Sequence, residues 1–361
     1  MDIKKTISLV LSAVLVIISL VIPYEAPPYV AGRGWGQSQT VNNLEDLSTL
    51  SDNVMALKNS CQKLIAEGNL NLSEAFSNSD IKSVTLKGNE VMEFYGTLSN
   101  EIEYKSTTQS SMYIAEDGQW IVDGYNYNEM LIISGDAAPS TSYMWMDMCI
   151  YGDGKGNAYL NMKKFITSLV SADGDVFYSD DDFPCGIWID LSTCDLKNPV
   201  TEFEFTLSSY YNSLALQTLN YISMKLEYFS ECGEDKYEKN GNIYTLTDSA
   251  YQELVEKTGE LKDAYIGDYF EKLLTYQYEN LGDYSLDLSQ NDAPTFRANS
   301  NGLKTNAYDI NGDLYGALEY TKYESESIIT NINNTSVTMS EFESYTMDEV
   351  EAMLKANLEE K

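Results

Sequence analysis

Short turn signals rich in glycine and asparagine, set between runs of apolar residues, constrain the fold of this chain more than any other feature. Two of them are near-copies, "YEKNGNIY" at 237–244 and "YDINGDLY" at 308–315. Asn-Gly is the strongest two-residue hairpin signal, because a type I′ turn needs positive φ at both central residues. We therefore predict hairpins with turns at Asn240-Gly241 and Asn311-Gly312, each with a cross-strand tyrosine pair. A calcium loop of the EF-hand type is disfavoured, because its sixth position should be glycine and is Leu314 in the second copy.

Further turn signals extend this pattern through the first half of the chain. Turns are predicted at Gly88-Asn89, at Asp117-Gly118 and in the glycine-rich loop 152–157, and "GIWIDLS" from Gly186 is predicted to be a buried strand. Strands that are joined by hairpins pair antiparallel. The sequence therefore predicts one large antiparallel sheet.

Helical periodicity appears before, between and after the predicted strands. Apolar residues recur at spacings of three and four in the segments 41–68, 211–229 and 249–281. Thr346 and Glu349 have the spacing of a capping box, which predicts a last helix. Residues 283–300 are polar and are predicted to be irregular. The predicted fold class is α+β, a large curved antiparallel hairpin-built sheet covered by helices, with an N-terminal hydrophobic helix.

The N-terminus predicts export. Lys4 and Lys5 precede an uncharged apolar stretch, residues 7–22, which Pro23 ends. This stretch is longer than most signal-peptide cores and slightly short of a typical spanning helix, so both interpretations stay open. In either case the two lysines remain inside and the rest of the chain is exported.

This N-terminus sets the predicted domain organisation. Residues 1–22 are a signal peptide or membrane-anchor helix, residues 23–40 a Pro/Gly-rich linker, and residues 41–361 a single extracytoplasmic α+β domain. Whether cleavage removes residues 1–32 is left open. Membrane contact is expected through the N-terminal helix only, because a net charge of -33 disfavours docking of the folded body on anionic lipid.

The composition excludes several classes of function. The chain has no histidine, which rules out Ser-His-Asp and Cys-His catalysis and every His-containing metal site. Nucleic-acid binding needs basic patches, and the only arginines are Arg33 and Arg297. Carboxylate-pair chemistry, a Ser-Lys arrangement and an all-oxygen cation site stay chemically possible. Because no catalytic set is recognised, we expect no enzymatic activity and no cofactor.

The most acidic loop and one cysteine pair are the remaining candidates for local chemistry. Asp180, Asp181 and Asp182 are weak candidates for a cation site, and a solvated loop is the alternative. Cys185 and Cys194 are close enough in sequence to pair if they lie on adjacent strands, whereas the other cysteines are expected to be small buried residues.

Four segments resemble elements of LolA/LppX-like exported proteins: "EDGQWIVDG", "GNAYLNM", "CGIWIDLS" and "EKNGNIYTLTDSAYQELV". The resemblance covers roughly residues 80 to 280. It implies a half-open antiparallel barrel whose mouth is plugged by helices and whose cavity holds a lipid or another apolar molecule. The chain departs from that group because it has no lipobox cysteine and carries an extra C-terminal region. The resemblance transfers no binding residue by motif.

The function we expect is that of an exported, non-enzymatic binding or sensing protein that holds an apolar small molecule or lipid. A strongly twisted sheet of many strands tends to curl, and helices near 211–229 and 249–281 are expected to close the resulting cavity in part. The candidate lining residues are bulky side chains on the strands, namely Trp120, Trp188, Phe203 and Phe205. The alternatives are a structural or assembly protein of the cell surface without a ligand and, less favoured, a carboxylate-dependent glycan hydrolase.

Overall fold

The computed structural model describes residues 29–33, 40–97, 101–133, 140–171, 174–178, 184–197, 204–269, 275–290, 293–308 and 314–359. The predicted α+β class is confirmed, because a large, mainly antiparallel sheet packs against helices. The N-terminal apolar helix predicted at 7–22 lies outside the described residues. Among the helices of the described segments, none is long and apolar enough to cross a membrane.

The described segments contain nineteen strands and six α-helices. The strands are β1 (Tyr29–Arg33), β2 (Val84–Thr97), β3 (Glu101–Ile114), β4 (Trp120–Ile133), β5 (Ser140–Gly152), β6 (Ala158–Ser171), β7 (Gly174–Tyr178), β8 (Trp188–Asp190), β9 (Asp195–Lys197), β10 (Glu204–Thr206), β11 (Tyr237–Asn240), β12 (Ile243–Leu246), β13 (Thr275–Glu279), β14 (Asp283–Asp287), β15 (Thr295–Ser300), β16 (Lys304–Tyr308), β17 (Leu314–Thr330), β18 (Thr335–Met339) and β19 (Ser344–Tyr345). The helices are α1 (Leu44–Thr49), α2 (Ser51–Ala66), α3 (Leu72–Ala75), α4 (Leu207–Glu231), α5 (Asp248–Tyr269) and α6 (Met347–Glu359).

Six long strands form the centre of the main sheet, in the order β17-β2-β3-β4-β5-β6. They have 13 to 17 residues each, and at about 3.3 Å per residue they span roughly 43 to 56 Å. The sheet branches on both sides of this centre. The outer edge of β17 pairs with β15 and β16 at different heights, and the outer edge of β6 pairs with β7 and β8.

Two of the predicted tight turns are confirmed in the centre of the sheet. Ile114 pairs with Trp120 around Asp117-Gly118, and Gly152 pairs with Ala158 around the loop that follows it. The turn predicted at Gly88-Asn89 is wrong, because β2 runs without interruption through both residues. Neighbouring strands on both sides hydrogen-bond to β2 there, and this two-sided pairing holds the glycine in an extended conformation.

The Asn-Gly hairpin of β11 and β12 is confirmed, but its register differs from the prediction. Asn240 pairs with Ile243, so the central turn residues are Gly241 and Asn242. Gly241 has a φ of 63°, which agrees with a type II′ turn, where glycine takes the first central position. Tyr237 and Tyr244 therefore meet diagonally, with ring centroids 5.3 Å apart.

The second Asn-Gly segment also joins two paired strands. Strands β16 and β17 pair antiparallel, and Tyr308 lies opposite Leu314 at the end of their ladder. The turn itself, residues 309–313, lies outside the described residues. The hairpin is therefore confirmed as a strand connection, while the turn geometry at Asn311-Gly312 stays a prediction.

Three segments differ from the secondary structure that the sequence predicts. Helix α5 ends at Tyr269 in the described chain, and Thr275–Glu279 is a strand, whereas one helix was expected to reach 281. The segment 283–300 contains β14 and β15 instead of irregular chain, because short runs such as Tyr284 and Leu286 alternate into the core. Within the predicted linker, Tyr29–Arg33 is a strand that pairs with β18.

The two sides of the sheet have different coverings. We name helix face the side on which Leu86, Val122 and Ile150 pack into the main core. Helix α4 lies on this face, and α2 packs on α4, where Lys58 Nζ lies 2.5 Å from Glu227 Oε1. The predicted capping box at the start of α6 is confirmed by a hydrogen bond of 2.7 Å from the Thr346 amide to the Glu349 carboxylate.

The opposite side is named the outer face. Ile121, Cys149 and Trp188 point to this side and form a second, smaller core cluster. Val337 of β18 and Phe342 cover that cluster, which lies at one end of the long strands. Toward the other end of the strands the outer face becomes more exposed, and Tyr95, Tyr143 and Trp145 reach solvent there.

Candidate functional site

The two predicted tryptophans lie on opposite faces of the sheet, so the expectation that they line one cavity is wrong. Trp120 is 1% exposed in the main core, and its indole nitrogen donates a hydrogen bond of 3.0 Å to Asn212 Oδ1. Trp188 belongs to the outer-face cluster, 5.1 Å from the ring of Phe342. Side chains alternate between faces along a strand, and the register places Ile189 instead of Trp188 on the helix face.

The other predicted residues do not complete such a cavity. Phe205 of β10 is buried, with its ring centroid 6.2 Å from that of Tyr210. Phe203 lies outside the described residues, as do the cation candidates Asp180, Asp181 and Asp182. In the part of the chain that the structure describes, no group of three or more acidic or cysteine side chains has a geometry suited to a metal ion.

The five cysteines are thiols, including Cys185 and Cys194, whose pairing the sequence left open. Burial raises the pKa of Cys61 to about 12 and that of Cys194 to about 11. Both thiols are therefore protonated at neutral pH and lack the thiolate that nucleophilic chemistry requires.

The most unusual buried group of the helix face is a cluster of tyrosines around a lysine, where α4 and α5 meet β14, β15 and β17. Tyr284 and Tyr251 are stacked with ring centroids 4.9 Å apart, and Phe296 lies 6.2 Å from Tyr284. The Tyr284 hydroxyl is buried and has no hydrogen-bond partner. An unsatisfied buried hydroxyl costs about 1–3 kcal/mol, so its presence needs a reason.

Lys225 is the cation of this cluster. The residue is 7% exposed, and its ammonium lies 4.2 Å from the ring centroid of Tyr221 and 5.5 Å from those of Tyr284 and Phe296. Among the described residues no carboxylate forms an ion pair with this ammonium. Cation–π contacts of a desolvated lysine contribute about 2 kcal/mol, which offsets only part of the loss of hydration.

The hydroxyls of Tyr284 and Tyr323 stay protonated at neutral pH. Burial raises the pKa of Tyr284 well above its usual range, and the neighbouring hydroxyls of Tyr221, Tyr251 and Tyr323 raise it further. Burial likewise raises the pKa of Tyr323, and the next contribution comes from the carboxylate of Glu90. The cluster therefore offers hydroxyl donors and one ammonium on one side, and Glu90 lies toward Tyr323.

An aromatic strip extends from this cluster along the helix face. Successive ring centroids lie 6.0 Å apart from Tyr323 to Tyr320, 5.3 Å from Tyr320 to Phe94 and 4.9 Å from Phe94 to Tyr104. A register shift in β17 between Tyr320 and Lys322 puts Tyr320 and Tyr323 on the same face. The strip ends where the Tyr104 hydroxyl donates a hydrogen bond of 2.7 Å to Asn128 Oδ1.

A buried polar layer lies next to the end of this strip. The Asn126 amide donates hydrogen bonds of 2.7 Å to Thr108 and 3.2 Å to Ser106, while its own oxygen has no partner. On α4 the side-chain oxygen of Asn220 is also buried and has no hydrogen-bond partner. Unpaired acceptors and hydroxyls thus occur on the sheet side and on the helix side of this core.

The surface grooves of the described chain include two with different linings. The smaller, of about 260 Å³, is on the outer face beside Arg297 and Glu326. The larger, of about 580 Å³, has a polar lining that includes Gln252 and Asp283, which adjoin Tyr251 and Tyr284 in the chain. Neither groove is lined by Trp120, Trp188 or Phe205.

The sequence contains only weak and separate signals for the tyrosine cluster. Tyr251 belongs to the apolar stripe predicted for the helix from 249, but Tyr284 falls in a segment predicted to be irregular. Lys225 lies between apolar residues of α4, where a lysine normally indicates the solvent side of a helix. Bringing these residues together takes packing between elements far apart in the chain.

No protein-family model, curated protein sequence or solved structure matches this chain. The resemblance to LolA/LppX-like proteins therefore stays a prediction.

Proposed function

We propose that the chain is an exported, non-enzymatic binding protein that holds an amphiphile with an acidic headgroup on the helix face. The headgroup binds at Lys225 and the neighbouring tyrosine hydroxyls, and the apolar part lies along the aromatic strip from Tyr323 to Tyr104. Export is supported by the two lysines and the uncharged stretch 7–22.

The observation that carries the proposal is the buried ammonium of Lys225 beside the unpaired hydroxyl of Tyr284. Both groups are hydrogen-bond donors, and an acidic headgroup supplies the acceptors and the negative charge. In a chain with a net charge of -33, this buried cation has no carboxylate partner among the described residues, and such an uncompensated charge favours an anionic ligand.

The aromatic strip supports an apolar tail. Its rings are half-buried and continuous with the headgroup site. Met92 and Met144 lie on the same face, and their flexible thioethers adapt to alkyl chains of different shape. A site with one polar end and an apolar floor is the usual form of a small-molecule pocket.

The test is titration of the full chain, purified after secretion, with a dansyl-labelled undecanoic acid and with its methyl ester. We expect Lys225→Met to weaken binding of the acid at least about tenfold and to leave the ester unchanged, since a charged hydrogen bond contributes about 1.5–3 kcal/mol. Lys164→Met is the matched control, because Lys164 also lies over an aromatic ring, 5.1 Å from Trp145, on the outer face.

Native mass spectrometry of the same protein adds a probe-free measurement, in which a co-purifying amphiphile is lost in Lys225→Met. If neither probe binds, or if Lys225→Met binds the acid as tightly as the wild type, the proposal fails. The structural or assembly role without a ligand then becomes the better explanation.

A further inference from the structure

The outer face carries a separate group of aromatic side chains that the proposed amphiphile site does not use. Trp145 of β5 is 42% exposed and Tyr143 is 37% exposed. On the neighbouring strand, Tyr125 and Tyr127 lie 6.2 and 6.1 Å from Trp145 between ring centroids. Their ring planes are tilted by 36° and 70° from that of Trp145, so the rings form an uneven surface. We call these four residues the aromatic platform.

The packing of the fold does not account for this exposure. Trp145 and Tyr127 pair across β4 and β5, away from the cluster that Val337 and Phe342 cover on the same face. The residues next to the platform on the outer face are charged. Glu129 lies opposite Tyr143 on the neighbouring strand, and Lys105 lies opposite Glu129 on the strand after that. Exposed aromatic groups bordered by polar residues are typical of recognition surfaces.

A β-bulge builds the charged border of the platform. The register of β5 and β6 shifts between Asp147 and Met148, and Lys163 reaches Asp123 across the sheet while its ammonium lies 3.8 Å from Asp147. Lys164 lies opposite Asp147 in the strand register, and its ammonium lies 5.1 Å from the centroid of the Trp145 ring. Both lysines are thus engaged within the border, and bulges commonly re-aim side chains in this way.

We propose that the aromatic platform binds a neutral polysaccharide chain. Flat aromatic rings stack on the apolar C–H faces of pyranose rings, and bordering carboxylates such as Glu129 accept hydrogen bonds from sugar hydroxyls. An uncharged, hydroxyl-rich polymer meets no repulsion from a surface with this balance of charges. A polyanion is repelled by the net charge of -33, and the two lysines are already engaged.

A second copy of the chain suits the platform less well. Trp145 and Tyr143, which are about 40% exposed, present roughly 100 Å² each, and the less exposed Tyr125 and Tyr127 present less, so the group offers under about 400 Å². A stable dimer takes about 800 Å² from each partner.

The experiment is affinity gel electrophoresis of the full chain in gels that contain hydroxyethyl cellulose, galactomannan or polygalacturonate. We expect retardation by at least one neutral polymer and none by polygalacturonate. Trp145→Ala should weaken the binding at least about tenfold, whereas Trp145→Phe, which keeps a ring for stacking, should retain a larger part of it.

Tyr221→Ala is the matched control, because Tyr221 is 41% exposed but belongs to the helix-face cluster. It should leave the retardation unchanged, so the two sites are tested separately. Three outcomes overturn the proposal: no retardation by either neutral polymer, equal retardation of Trp145→Ala and wild type, or stronger retardation by polygalacturonate. Size-exclusion chromatography adds a fourth: if the wild type is a dimer, and Trp145→Ala is a monomer that still binds glycan as tightly as the wild type, the platform serves self-association.

Discussion

Trp120 and Trp145 lie on adjacent strands of one sheet, and their surroundings are opposite. Trp120 is 1% exposed on the helix face, whereas Trp145 is 42% exposed on the outer face. Gly152, paired with Trp120, leaves room for the indole, because a Cβ atom at that position would lie 2.0 Å from the indole nitrogen. Whether an aromatic residue on a strand belongs to the core or to the surface therefore depends on what covers its face of the sheet.

The two faces also differ in whether their polar side chains have partners. On the helix face, Lys225 and the Tyr284 hydroxyl are buried with incomplete partners. On the outer face, Lys163 is shared between Asp123 and Asp147 in partial contact with water. The first arrangement costs stability in the absence of a ligand, and the second is a surface network with little net effect.

The largest expected difference between the faces is in core packing. Trp120→Ala should lower the free energy of unfolding by about 3–5 kcal/mol, because it leaves a large cavity and removes the hydrogen bond to Asn212. Trp145→Ala should change it by no more than about 0.5 kcal/mol. Urea unfolding of both variants measures the two values, and similar losses would contradict the assigned burial.

A second comparison concerns two tyrosine hydroxyls on the helix face. The single hydroxyl proton of Tyr228 is shared between two acceptors, the Ala250 carbonyl at 2.9 Å and the Glu253 carboxylate at 3.1 Å, so Tyr228→Phe should destabilise the fold by about 1–2 kcal/mol. Tyr284→Phe should leave stability unchanged or raise it, because it removes a buried hydroxyl without a partner. A loss of more than 1 kcal/mol in Tyr284→Phe, read from urea unfolding without ligand, would show that this hydroxyl is satisfied.

The smallest expected effect is on the pH dependence of stability, to which two carboxyl groups contribute in opposite directions. Hydrogen bonds from Lys236, then Lys257, lower the pKa of Glu253 from 4.5 to about 2, so its stabilisation is full above pH 4.5 and is lost as the pH falls toward 2. Burial raises the pKa of Asp147 above 3.8, so acidification relieves an unfavourable ionised group there. The first group therefore favours the fold at neutral pH, and the second favours it in acid.

Two variants separate these contributions. Glu253→Gln should flatten the loss of stability between pH 4.5 and 2, whereas Asp147→Asn should remove the stabilisation that protonation of Asp147 supplies as the pH falls toward 3.8. Thermal unfolding of both variants and the wild type at neutral and acidic pH measures the slopes. Parallel curves for all three proteins would mean that neither carboxylate titrates differently in the folded state.

Local sequence determined much of the architecture. The turn at Asp117-Gly118, the hairpin that contains Gly241 and the capping box of Thr346 and Glu349 depend on a few adjacent residues. Their backbone preferences are the same wherever the segment lies, so the α+β class and the antiparallel pairing follow from them. The absence of histidine likewise excludes its chemistry without reference to structure.

The tertiary structure decided the rest. Gly88 lies in an uninterrupted strand because partners on both sides hold it extended, and Tyr29–Arg33 is a strand because β18 pairs with it. Trp120 and Trp188 were expected on the same face of the sheet and lie on opposite faces. Lys225 contacts the ring of Tyr284, although the two residues are more than fifty positions apart in the chain. The period of two along a strand assigns side chains to alternate faces, but only long-range packing determines which face the helices cover and which meets water.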